Sequence, residues 1–161
     1  MNAADVLRYG HLTLTGALEQ APKEIVTDPG ACGVWSIKDI VAHLASYEIV
    51  LIDILQADLD GGPKPNLDRY RDPGSDFNDG EVGARASRSL DEVLGELNDC
   101  HARTLELAAR FDTERFRQSG TIAWYGPDYS LDDLVVYMYY GHKREHAAQI
   151  EAFRDRQVPG Q

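Results

Sequence analysis

A chain of 161 residues with 43% hydrophobic content can bury a core of its own, and no composition shift divides it, so residues 1–161 are read as one domain. Its net charge of -11, from 27 acidic against 16 basic residues, disfavours nucleic acid as a partner, because phosphate backbones are held by clustered Lys and Arg. Charges interrupt the apolar runs, so no membrane span is expected, and Met1 to Gly10, with Asp5 and Arg8, lacks the layout of a secretory signal, which makes a cytoplasmic location the expectation.

The first apolar-periodic segment runs from about Asn2 to Gln20, with Leu7, Leu14 and Leu18 on one side and Pro22 beyond its end. A loop with Pro29, Gly30 and Gly33 follows, and a second helix is expected from Ser36, whose hydroxyl can cap the first turn while Asp39 faces the positive end of the helix dipole. Ile40, Leu44, Tyr47, Leu51, Ile54 and Leu55 form its inward stripe, with His43 toward the margin. Gly61 to Gly74, containing Pro63, Pro65 and Pro73, reads as a long connection.

A third helix is expected from Phe77 or Asn78 to about Phe111, with a break at Ser89 as the alternative, since Ser89 followed by Asp91 and Glu92 can cap a new start. Asp112 to Tyr129 reads as a second long connection, with Thr121 to Tyr125 as a candidate extended piece and Trp124-Tyr125-Gly126-Pro127 as a turn. The last helix starts at Ser130, backed by Asp132 and Asp133, and runs to about Arg156, with Pro159 and Gly160 beyond it. No segment alternates in the manner of a strand, so the fold class is all-α: a helical bundle with long crossover loops.

Leu131, Val135, Met138, Tyr139, His142, His146 and Phe153 share one stripe of that last helix. Two imidazoles four residues apart project from one side, and a shared divalent metal would satisfy ring nitrogens that are otherwise costly to bury. His43 is a candidate third ligand, but His11 and His101 also project along apolar stripes, and periodicity alone does not choose among them. Tyr47 and Tyr139 flank the site either as substrate contacts or as core residues; Gln149 could bond a ligand, Glu145 could orient one or face solvent, and Trp124 with Tyr125 could cover a cavity or close the core. Glu48 stands about 140° around the helix from His43 and makes a poor candidate base. Cys32 and Cys100 lack any paired zinc-ligand spacing and are expected to be free thiols, although Cys32 lies in a Gly-rich stretch.

The segment Trp35-Ser36-Ile37-Lys38-Asp39-Ile40-Val41-Ala42-His43-Leu44 resembles the start of the second helix in the DinB/YfiT-like superfamily. Tyr140-Gly141-His142-Lys143-Arg144-Glu145-His146-Ala147-Ala148-Gln149-Ile150 is similar to its last-helix motif, and Asp76-Phe77-Asn78 to its usual entry into the third helix. The resemblance implies a four-helix bundle, commonly a homodimer, in which His43, His142 and His146 hold a divalent metal, often nickel or zinc. Relatives include S-transferases using low-molecular-weight thiols, a maleylpyruvate isomerase and proteins that open reactive toxins, and many others carry no more than a provisional assignment as metal-dependent hydrolases. The implied function is a metal-dependent enzyme that turns water or a low-molecular-weight thiol on a small electrophile, with hydrolase and thiol S-transferase left open and catalytic side chains unassigned. The alternative is a non-catalytic bundle that binds metal or a small ligand.

Overall fold

A computed structural model describes residues 2–157. It is all-helical, with no strand among the described residues and only an isolated bridge between Cys32 and Trp35. The helices are α1 (Ala3–Glu19), α2 (Ile37–Asp60), α3 (Pro65–Arg71), α4 (Phe77–Ala84), α5 (Leu90–Ala108), α6 (Thr113–Arg117), α7 (Leu131–Leu134) and α8 (His142–Gln157). A π-helical segment, Val135–Gly141, joins α7 to α8 in one continuous helical stretch. Four long helical stretches make up the body: α2 packs along α5, and α1 packs along α8 and the π segment.

The starts of these elements follow local chemistry. Ser36, Ser89 and Ser130 each accept a hydrogen bond from the backbone N–H three residues on, and Asp39, Glu92 and Asp133 return the bond to the serine N–H, so three starts carry reciprocal capping boxes. The box at Ser89 is why the expected third helix is two helices, α4 and α5. Lys38 fixes that junction to the start of α2 by donating to the carbonyls of Ala86 (2.7 Å) and Arg88 (3.2 Å).

The long connections are more ordered than their composition suggests. Pro65 occupies the first turn of α3, where its missing N–H costs nothing. Asp53 of α2 supplies the cap that α3 lacks, its Oδ2 accepting from the N–H groups of Asn66 (2.7 Å) and Leu67 (3.1 Å). The second connection contains α6, capped by Asp112. The expected extended piece at Thr121–Tyr125 is instead a turn closed by Tyr125 N–H to the Ile122 carbonyl at 2.9 Å, because burial of Ile122 and packing of Trp124 against the core pull the loop inward. The residues expected beyond the last helix, Pro159 and Gly160, lie outside the described residues.

By length and composition alone α2 could cross a membrane, contrary to the reading that charge interrupts every apolar run, but 72% of its apolar window is buried inside the protein. That burial is divided. One apolar cluster includes Leu7, Leu51, Leu55, Leu107, Leu134 and Tyr139; the other includes Leu14, Ile40, Leu44, Leu97, Ile150 and Phe153. Along each long helical stretch polar groups mark the passage from one cluster to the other: His11 on α1, Glu48 on α2 with His43 one turn earlier among the residues of the second cluster, His101 and Thr104 on α5, and His142, Lys143 and His146 on α8. All five histidines of the chain therefore fall in or beside one polar layer between two oily ones.

Candidate metal centre

The polar layer separates into two parts. In the first, His43 from α2 meets His142 and His146 from α8: the His142 Nε2 lies 2.9 Å from His43 Nε2 and 3.0 Å from His146 Nε2. One ligand atom from each ring falls within 4.8 Å of the others. His43 is not at the margin of the inward stripe but 3% exposed, His146 is 5% exposed, and His142 is half-buried. The structure thus brings together the three sequence-predicted residues, and it leaves His11 and His101 elsewhere in the layer, stacked on each other at 4.0 Å.

Burial holds these rings neutral. It lowers His43 to about 3, with further lowering by His142 and His146, and lowers His142 to about 4, with His146 adding to the effect. His146 is lowered by burial too, against opposing effects of Gln149 and Glu145. Neutral imidazole is the form that ligates.

Gln149 fixes which nitrogen of His146 faces inward. The His146 Nδ1 is 2.8 Å from the Gln149 Oε1, which can only accept, so the proton sits on Nδ1 and Nε2 keeps its lone pair. The Met138 backbone partly opposes the lowering of His142. The Trp35 and Tyr47 rings lie 4.9 and 4.7 Å from His43, and the Trp35 indole N–H donates to Asp79 at 3.1 Å. The donor set fits a divalent ion. The separations of 2.9 and 3.0 Å are short enough for both nitrogens of each pair to reach one ion at about 2.0–2.1 Å. Without a cation, these nitrogens can face one another only by sharing ring protons as hydrogen bonds.

A cavity of about 460 Å³ opens onto His142 and is lined by Tyr47, Tyr70, Tyr137, Met138, Gly141 and Glu145. The π segment shapes one wall, since Tyr137, Met138 and Gly141 belong to it. Wider π turns recur at functional sites, and this one precedes the first α8 histidine. α1 approaches the segment closely: a Cβ on Gly10 would lie 3.2 Å from the Tyr140 ring and 3.3 Å from its Cα. Glu145 is exposed at the cavity rim. Tyr47 sits beside His142 at 4.5 Å, whereas Tyr139 is 2% exposed, packed in an apolar cluster with an unpartnered hydroxyl. Trp124 and Tyr125 pack against the same cluster.

The second part of the layer was not foreseen. Glu48, fully buried, pairs with Lys143 through Oε1 and accepts from the Thr104 hydroxyl through Oε2 at 2.7 Å; His101 Nδ1 lies 3.6 Å from Oε1. Burial pushes the Glu48 carboxyl up, but Lys143 and His101 outweigh it and hold the group down at about 2. The signal was present in the sequence: Glu48 falls on the stripe of Leu44, Leu51 and Leu55, and Lys143 on that of Ala147 and Ile150, so two opposite charges sit where apolar residues belong. Cys32 and Cys100 are free thiols, and burial, ahead of nearby acidic groups, raises Cys100 to about 11.

No curated protein and no solved structure matched the chain. The sequence profile of the DinB superfamily matches residues 11–150, a span that holds α2, α5, the π segment and all three clustered histidines. On that match, and with an all-helical fold that gathers His43, His142 and His146, the chain belongs to the DinB superfamily.

Proposed function

We propose that His43, His142 and His146 hold a divalent metal ion, nickel or zinc by family resemblance, and that the protein uses it to direct water or a low-molecular-weight thiol at a small electrophile. The observation that carries this reading is the convergence of three neutral imidazoles from two helices, His43 and His146 buried and His142 half-buried, with Gln149 holding the tautomer of His146. A divalent ion bound by neutral ligands keeps its charge and lowers the pKa of water or thiol at an open position.

The remaining roles belong to the chain. His142 is the ligand that the cavity reaches, so substrate enters beside it. Burial, and then Tyr70, push the Tyr47 phenol above its ordinary value, so it stays a hydrogen-bond donor next to His142. Met138 and the aromatic walls restrict water and favour a small substrate with an apolar part. No side chain of the chain is required as nucleophile.

The test is elemental analysis of protein purified without a nickel column, repeated for His43→Ala, His142→Ala and His146→Ala, with a turnover screen of electrophiles against water and low-molecular-weight thiols. Near-stoichiometric metal in the parent and loss in the variants is the expected result. Undiminished metal in all three variants would dispose of the site, and saturable substrate binding without metal-dependent turnover would reduce the protein to a binder.

A further inference from the structure

A second cavity, of about 450 Å³, lies between α2, α3 and the loop at 121–124, and shares no lining residue with the cavity at His142. Tyr70 stands between them, its ring 6.4 Å from Trp124 on one side and 5.5 Å from Tyr47 on the other. The floor is apolar: Ile54, Leu67 and Ile122 are all buried, and Trp124 forms a half-buried wall. This volume is in the range of small-molecule sites.

The charges at its rim are unusual for a chain of net charge -11. Neighbouring basic residues are matched to acids: Arg69 to Glu81, Arg110 to Asp60 and Arg115 to Asp58. Asp58 is the one acidic residue lining the cavity, and Arg115 neutralises it through a two-pronged contact that includes Nε at 2.9 Å. Lys64 and Arg71 also line the cavity, and among the described residues neither pairs with a carboxylate. Arg71 is instead held over the Trp124 ring at 5.4 Å, a cation–π contact that keeps its guanidinium at the rim before any ligand arrives.

We propose that this cavity binds a small amphiphilic anion, with its acidic head between Lys64 and Arg71 and its apolar body against Trp124, Ile122 and Leu67. With Asp58 matched, Lys64 and Arg71 are, among the described residues, the unpaired charges lining the cavity, and the apolar floor selects against a bare inorganic ion.

The test is calorimetric titration of the full-length protein with 2-naphthoate and 2-naphthamide, together with the indole N–H resonances of the two tryptophans. Naphthoate is expected to bind one to one, with naphthamide and the Lys64→Ala/Arg71→Ala variant each weaker by about tenfold or more, the scale of a charge-assisted contact. Bound naphthoate should shift the Trp124 indole signal and not that of Trp35, which lies beside His43. His142→Ala should bind as the parent does, which separates this cavity from carboxylate ligation at a metal. Absence of saturation up to roughly 10 mM, equal affinity for acid and amide, undiminished binding by the double variant, or a shift confined to Trp35 would each overturn the proposal.

Discussion

Glu48→Gln tests the polar layer where it is most deeply buried. The substitution keeps the side-chain volume and the hydrogen-bond partner for Thr104 but removes the charge facing Lys143, whose side chain is 3% exposed. Removing one partner of a buried ion pair costs about 3–5 kcal/mol, because the other charge stays buried and uncompensated. The direction of the Glu48 shift agrees, since Lys143 and His101 hold its carboxyl well below the usual value against the effect of burial. The expected loss at pH 7 is therefore about 3–5 kcal/mol, a large share of the 5–15 kcal/mol of a typical domain. The pH dependence follows from the sign of the shift. A carboxyl depressed in the folded state contributes its full stability above the unfolded value near 4.5, and that contribution disappears as pH falls toward 2. His43 and His142 also lose stability in acid, from 6.5 downward, but Glu48 is not among the causes of their shifts and that loss cancels in the difference; His11, which the Glu48 charge raises, is the exception. Urea unfolding of both proteins from pH 8 to pH 3 reads the effect. A constant gap above about pH 5 that narrows below it is expected; a gap under about 1 kcal/mol at pH 7, or one that does not narrow in acid, would refute the reasoning. Replacing the pair together, Glu48→Met with Lys143→Met, should be far milder than Glu48→Gln alone.

Other expectations are direct. Adding zinc to metal-free protein should raise its unfolding free energy by about 3–4 kcal/mol at 100 to 1,000 times the dissociation constant, and by nothing specific in His43→Ala; thermal melts check both. Gln149→Leu should weaken metal binding by about 10–100-fold with little change in stability, since it removes the acceptor that orients His146; competition with a chelator of known affinity measures it. Gly10→Val should destabilise by about 1–3 kcal/mol through collision with Tyr140, read by urea midpoint. Asp53→Ala should cost about 1–3 kcal/mol and expose the amides of Asn66 and Leu67 to faster hydrogen exchange.

The helix starts were legible in the sequence because capping is local: Ser36, Ser89 and Ser130 each announce themselves within four residues. The pairing of His142 with His146 was legible for the same reason, being set by helical pitch. The choice of His43 over His11 and His101 was not legible in periodicity and came only from the family resemblance of Trp35 to Leu44, because all three project along apolar stripes and the packing of α2 against α8 decides which ring arrives. The helix α3 was hidden by its prolines, since its cap is a carboxylate twelve residues upstream of its first residue, on another helix. Glu48 and Lys143 were readable one at a time as misplaced charges, but their partnership spans 95 positions and follows from the register of two helices. The π segment left no signature in periodicity, because seven residues are too few to distinguish its pitch from that of an α-helix.

That wider turn makes chain length a variable in its own right. A π turn accommodates one residue more than the α turn it replaces, so everything after Gly141 is rotated by about 100° relative to an uninterrupted helix begun at Ser130. Closing this stretch to α pitch with all its residues kept would swing both imidazoles of α8 away from the ring on α2, whereas removing a single residue between 135 and 141 would let the pitch relax and leave α8 in register. Residue-by-residue replacement is blind to such a dependence, whereas a one-residue deletion scan through this stretch would expose it.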